Sequence, residues 1–97
     1  MKINLNGKNA LVGGSSKGIG LAIVKRLAKS GANVTLMARS EALLNEIVVS
    51  LPTNKGQIHG YLVVDFSDFN AFKIQMNTFF ADNFIDILIN NTQGPSA

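Results

Sequence analysis

The chain has no cysteine, one histidine and one tyrosine among its 97 residues. Without cysteine there is no disulfide and no thiolate metal site. The lone His59 excludes a histidine cluster, and as a general base it would need a partner that the sequence does not offer. Charge is sparse, at 15% of residues against 46% hydrophobic, the balance of a soluble globular domain. The net charge of +3 is spread along the chain. Lys25, Arg26 and Lys29 fall on the outer side of a predicted helix, which reads as a solvated face, so nucleic acid is not an expected partner. No apolar run approaches the roughly 20 residues of a membrane span, so no membrane partner is expected either. The opening Met1-Lys2-Ile3-Asn4 lacks the apolar region of a secretory signal, which makes the cytoplasm the expected compartment. No repeat, low-complexity tract or linker divides the sequence, and residues 1–97 are expected to form one small domain with a limited core.

What the chain does have is alternation. Apolar runs at Lys8–Gly13, Asn33–Ala38, Ile58–Val64 and Ile85–Ile89 read as strands. Between the first two lies a helix over Gly18–Ser30, with Ile19, Ala22, Ile23 and Leu27 as its apolar face and Gly31 just past its end. Ser40 reads as the N-cap of a second helix with the stripe Leu43, Leu44, Ile47, Val48 and Leu51, and Pro52 and Gly56 mark the loop beyond. Ser67 reads as the cap of a third helix, whose stripe is Phe69, Phe72, Met76, Phe79 and Phe80. His59 is expected to be exposed at a strand start, and Asn90–Ala97 to carry no element. The order βαβαβαβ, with strands that are continuously apolar, predicts an α/β fold: a partial Rossmann-type doubly wound parallel sheet of four strands in order 3-2-1-4.

One segment carries chemistry. Gly13-Gly14-Ser15-Ser16-Lys17-Gly18-Ile19-Gly20 sits between the first strand and the first helix. Gly14, Gly18 and Gly20 permit a tight turn and close approach of backbone to a pyrophosphate, at a helix start whose N–H groups face the anion. The same glycines could instead serve only a tight βα turn.

The end of the second strand bears on which dinucleotide would fit. An NAD site places a carboxylate there for the ribose hydroxyls. This strand ends Met37-Ala38-Arg39-Ser40, with no carboxylate. Arg39 can pair with a 2′-phosphate, and Lys17 can reach the same group, which favours NADP (NADPH) over NAD. The alternative is that Arg39 is an ordinary loop cation and Lys17 is solvated.

Taken together, Gly14-x-x-x-Gly18-Ile19-Gly20 resembles the cofactor loop of the short-chain dehydrogenase/reductase family. Asp65, in Val64-Asp65-Phe66-Ser67, resembles the family's acidic residue after the third strand, which holds the adenine amino group. Asn90-Asn91-Thr92-Gln93-Gly94 resembles its Asn-Asn-Ala-Gly motif after the fourth strand. Within the family the chain is similar to the 3-oxoacyl-acyl-carrier-protein reductase type. The resemblance implies a nucleotide-cofactor site built from Gly14, Ser15, Ser16, Lys17, Gly18, Ile19, Gly20, Arg39, Ser40, Asp65, Phe66, Asn90 and Asn91. Asp65 can also be read as a turn residue, and the double asparagine as turn chemistry. Two departures stand out: Gly13 replaces the family's usual Thr, and Thr92-Gln93-Gly94 replaces Ala-Gly, where the long Gln93 side chain could crowd the cofactor.

The family's proton chemistry uses Tyr-x-x-x-Lys with an upstream Ser. Here the only tyrosine is Tyr61, within the third predicted strand, and the residue four later is Asp65. No catalytic residue is therefore assigned. The resemblance implies the N-terminal portion of a truncated reductase whose complete form would move hydride between NADPH and a carbonyl. The alternative is a non-catalytic nucleotide-binding or self-associating remnant of the same fold. An open strand edge and a poorly covered face predict a homo-oligomer.

Overall fold

The computed structural model describes residues 3–91. Strands β1 (Asn9–Gly13), β2 (Asn33–Ala38), β3 (Gly60–Val63) and β4 (Ile87–Asn90) alternate with helices α1 (Gly18–Lys29), α2 (Glu41–Ser50) and α3 (Phe69–Asp82). The sheet is parallel, in the order β3-β2-β1-β4. Gly13 lies beside Met37 on one side and Asn90 on the other, so β1, β2 and β4 deliver their C-terminal ends to one rim.

Alternation along the strands sorts the core into two layers. Val12, Val34, Leu36 and Ala38 point to the face covered by Val24 and Ala28 of α1 and by Leu44 and Ile47 of α2. Leu11 and Met37 point to the other face, with Val64 and with Met76 of α3. Six strand and helix side chains of the first layer are essentially inaccessible, whereas the second layer is completed mainly by half-buried groups such as Phe72, Phe79 and Ile85. The α3 face is the thinner of the two.

The buried side of α1 differs from the expected one. Gly20, Val24 and Ala28 are its buried residues, while Ile19 is 71% exposed and Ala22 is exposed. Small residues at i, i+4 and i+8 let the helix axis approach the sheet, and this outweighs the pull of the larger Ile19. Gly31 ends the helix as expected. Its N–H bonds the Ala28 carbonyl and the Ala32 N–H bonds that of Leu27, the two bonds of a Schellman motif.

Two further corrections concern α3. Its N-cap is Asp68, whose carboxylate accepts the Ala71 N–H at 3.1 Å, and not Ser67. The hydroxyl of Ser67 is engaged by Asp65, one residue too early to cap. Phe72, Met76 and Phe79 form the inward stripe, but Phe69 and Phe80 are exposed. At about 100° per residue, position 80 turns away as position 79 turns in. The third strand is also shorter than expected, beginning at Gly60, with Ile58 outside it and 82% exposed. β4 runs through Asn90, so that residue is within an element after all, and residues 92–97 of the expected tail lie outside the described residues.

The opposite rim is held by polar side chains. His59 is half-buried rather than exposed: its Nδ1 accepts the Val34 N–H at 3.1 Å, so Nε2 carries the proton and donates to the Pro52 carbonyl at 2.8 Å. Asn33 donates to the Asn9 side chain and accepts from the Ile58 N–H. Buried Gln57 donates to the Ala28 carbonyl at the end of α1. These bonds fix the crossovers into β2 and β3. Among the described residues no helix is long and apolar enough to cross a membrane, and no group of metal-ligating side chains occurs.

Candidate nucleotide-binding groove

The segment after β1 makes two changes of direction at residues with positive φ, Gly14 (+68°) and Gly18 (+63°). L side chains avoid this region, which is why glycine stands at both turns. Between them Ser15 is fully buried. Its Oγ accepts the Met37 N–H at 3.1 Å and lies 3.4 Å from the Met37 carbonyl. The Gly14 and Ser15 N–H groups point at that same carbonyl, at 3.0 and 3.3 Å. Ser15 therefore sits beneath the groove as a tie to β2. Its side chain and N–H are spent on the fold, unlike the expected cofactor-facing role.

Past this tie, α1 begins without a side-chain cap. Lys17 is its N-cap position, and its first turn holds no acidic residue. The other two helices are capped by Ser40 and Asp68. The positive end of the α1 dipole and its unpaired N–H groups are thus left for an anion. Gly20, one turn in, packs directly on the loop. A Cβ there would collide with the Gly14 carbonyl oxygen and lie 3.0 Å from the Asn91 Nδ2. The glycine allows helix, loop and β4 end to close on one another.

These elements form one wall of a groove of about 740 Å³ at the C-terminal rim of the sheet. Gly14, Ser16, Lys17, Gly18 and Ile19 line that wall. Ile19 is exposed because it faces the groove rather than the core. The facing wall carries Ala38, Arg39, Ser40 and Leu43, and Phe66 and Asn91 complete the lining. The lining holds two cations, Lys17 and Arg39, and no carboxylate. Ser40 accepts the Leu43 N–H at 3.4 Å, which leaves its hydroxyl proton to donate into the groove. The Asn91 N–H is bonded to the Gly13 carbonyl, which fixes that side chain beside Gly20.

Of the expected residues, the structure brings Gly14, Ser16, Lys17, Gly18, Ile19, Arg39, Ser40, Phe66 and Asn91 together along the groove. Gly20 lies behind the wall, and Asn90 pairs with Gly13 at the end of β4. Asp65 is not a lining residue. Its Oδ1 accepts both the Ser67 hydroxyl, at 2.6 Å, and the Ser67 N–H, at 2.9 Å. These bonds, aided by the Arg39 charge, hold its carboxyl below the usual carboxylate range. Ala38 and Leu43 are lining residues that sequence reasoning did not assign to the site, Leu43 being expected in the apolar stripe of α2. The signal for Leu43 was its place three residues after a cap, on the side of α2 that turns toward the rim. Thr92, Gln93 and Gly94 lie outside the described residues.

Comparison with known proteins agrees with this geometry. A family model described as short chain dehydrogenase matches residues 8–95. A 7alpha-hydroxysteroid dehydrogenase of Clostridium sardiniense is 41% identical over 96 residues, covering 93% of this chain and 34% of that protein. A 3-oxoacyl-[acyl-carrier-protein] reductase of Chlamydia pneumoniae is 37% identical over 92 residues, covering 94% of this chain and 37% of that protein. The crystal structure of L-sorbose reductase from Gluconobacter frateurii, complexed with NADPH and L-sorbose, superposes with a TM-score of 0.81 at 34% identity, covering 97% of this chain and 36% of that one. The chain thus spans about a third of the length of the relatives it matches.

Proposed function

The chain belongs to the short-chain dehydrogenase family, and from that premise we propose that it is the N-terminal, NADP-binding portion of an oxidoreductase acting on a carbonyl or alcohol substrate. The observation that carries the cofactor reading is the groove lining, in which Lys17 and Arg39 face the space and no carboxylate does. The uncapped α1 start and the Gly14–Gly20 contact fit a pyrophosphate against the backbone. Arg39, Ser40 and Lys17 would hold a 2′-phosphate. Ile19, Phe66 and Asn91 would flank the rest of the nucleotide. When bound, NADPH supplies the hydride equivalent for carbonyl reduction. This chain's own residues bind and orient the cofactor.

The same residues provide no proton donor. Tyr61 is the only tyrosine, and its hydroxyl is bonded to Glu41 at the β3 edge. The chain alone binds nucleotide without reducing a ketone. A cytoplasmic setting and self-association through the thinner α3 face and the β4 edge, where Leu88 is 60% exposed, complete the proposal.

The test is calorimetric titration of the chain with NADPH and NADH. NADPH should bind more tightly, and Arg39→Asp should flatten or reverse the preference. Loss of a charge-assisted contact worth about 1.5–3 kcal/mol corresponds to roughly tenfold to a hundredfold in affinity. Equal affinity of the unaltered chain for both nucleotides would refute the NADP reading.

A further inference from the structure

A carboxylate stands next to the proposed 2′-phosphate site in sequence, yet is absent from the groove. Glu41 directly follows Arg39 and Ser40 and occupies the first turn of α2. A free side chain at that position would sample orientations toward Ser40, where it would repel a phosphate dianion and compete with it for Arg39. The structure shows it elsewhere. The Tyr61 hydroxyl donates to the Glu41 Oε2 at 3.2 Å. Tyr61 lies on β3, the edge strand beyond β2, and its ring packs against the core layer beneath α2. The anchor is therefore fixed at its base, and it draws the carboxylate toward the sheet edge. Partial burial, together with the Glu41 carboxylate, raises the Tyr61 hydroxyl above its ordinary range, so it remains a donor at neutral pH.

We propose that Tyr61 is a specificity-determining residue that acts through Glu41, by holding this carboxylate out of the 2′-phosphate site. The inference rests on the NADP reading above. It explains how a chain with an acidic residue immediately after Arg39-Ser40 keeps a groove whose charged lining residues, Lys17 and Arg39, are both cations. Tyr61 is not among the lining residues of the groove, so it is a positioning residue.

Adenosine 2′,5′-bisphosphate and AMP differ only in the 2′-phosphate and make a direct probe. Titration of the chain and of Tyr61→Phe with each should show the bisphosphate weakened in the variant by about three- to tenfold, the scale of one carboxylate near a dianion in a water-like dielectric. AMP should bind both proteins alike. Glu41→Gln in the Tyr61→Phe background should restore bisphosphate affinity, which a general loosening of β3 would not do. Equal loss for both nucleotides, no loss for either, or failure of Glu41→Gln to rescue would overturn the inference while leaving the NADP reading intact. An unaltered chain that binds the two nucleotides equally would overturn both.

Discussion

Gly20→Ala adds a single methyl group at the point where α1 meets the glycine loop, and its effect can be worked out from the contacts. On propensity alone the change should help, since Ala is favoured over Gly within a helix by about 1 kcal/mol. Packing opposes it. The new Cβ would overlap the Gly14 carbonyl oxygen and lie 3.0 Å from both the Gly14 carbonyl carbon and the Asn91 Nδ2. Two of these atoms are backbone, so no rotamer change relieves the overlap. The Gly14 turn is also held from below, by its N–H bond to Met37 and by Ser15. Overpacking of this kind costs about 1–3 kcal/mol, occasionally more. Because the overlap is with backbone, the cost falls in the upper part of that range, about 2–3 kcal/mol, and the net loss should be about 1–2 kcal/mol, or roughly 4–16 °C in Tm for a domain of this size. The displaced loop should also lose NADPH, by at least about tenfold if 1.4 kcal/mol of backbone contact is lost. Gly18→Ala is the informative control. That site has open space around it and suffers only the strain of its positive φ, about 1–2 kcal/mol. Thermal melts and NADPH titrations of both variants decide the matter. If Gly20→Ala melts and binds like the unaltered chain, close contact between helix and loop is not what this glycine provides.

Two other expectations follow from side chains outside the groove. His59→Ala should leave the Val34 N–H and the Pro52 carbonyl without their partner and lower stability by about 1–3 kcal/mol, read by urea denaturation, with nucleotide affinity unchanged. A stability equal to that of the unaltered chain would show that the clamp is dispensable. Asp65 should titrate below the ordinary aspartate value of about 3.9, and Ser67→Ala should move it back up. Because the folded value is the depressed one, its contribution to stability is present above the ordinary value and is lost as pH falls through the folded one. A carbon-detected NMR titration with the midpoint at or above the ordinary value would contradict the Ser67 bonds.

The parallel sheet and its order were legible because continuously apolar strands alternated with capped or glycine-terminated helices. Most of the groove's lining was legible too, since the places of the glycines, Lys17 and Arg39 follow from the local strand–turn–helix geometry. What escaped was any choice settled by tertiary contact. Burial of α1 was misjudged because Gly20 and Ala28 count as weakly apolar in a pattern, yet they are the residues that permit close approach. Ser67 and Asp68 are both good caps, and only the competing bond to Asp65 separates them. Ser15 looks like a phosphate ligand in the loop sequence, but its hydroxyl is claimed by a strand 22 residues away. His59 and Gln57 carried no pattern at all, because their partners are backbone atoms of distant segments.

The Ser15 tie also has a metrical consequence. It pins the base of the glycine loop to the backbone of Met37, and Arg39 leaves the same strand only two residues further on. Loop and arginine are thereby mounted on one stiff bracket, like the jaws of a caliper locked at a single opening. On the proposed reading, a nucleotide in the groove meets the loop's backbone amides at one station and Arg39 at the other, both set by the same strand. Ligands whose phosphates are spaced to that opening engage both at once, and those with a different spacing must give up one.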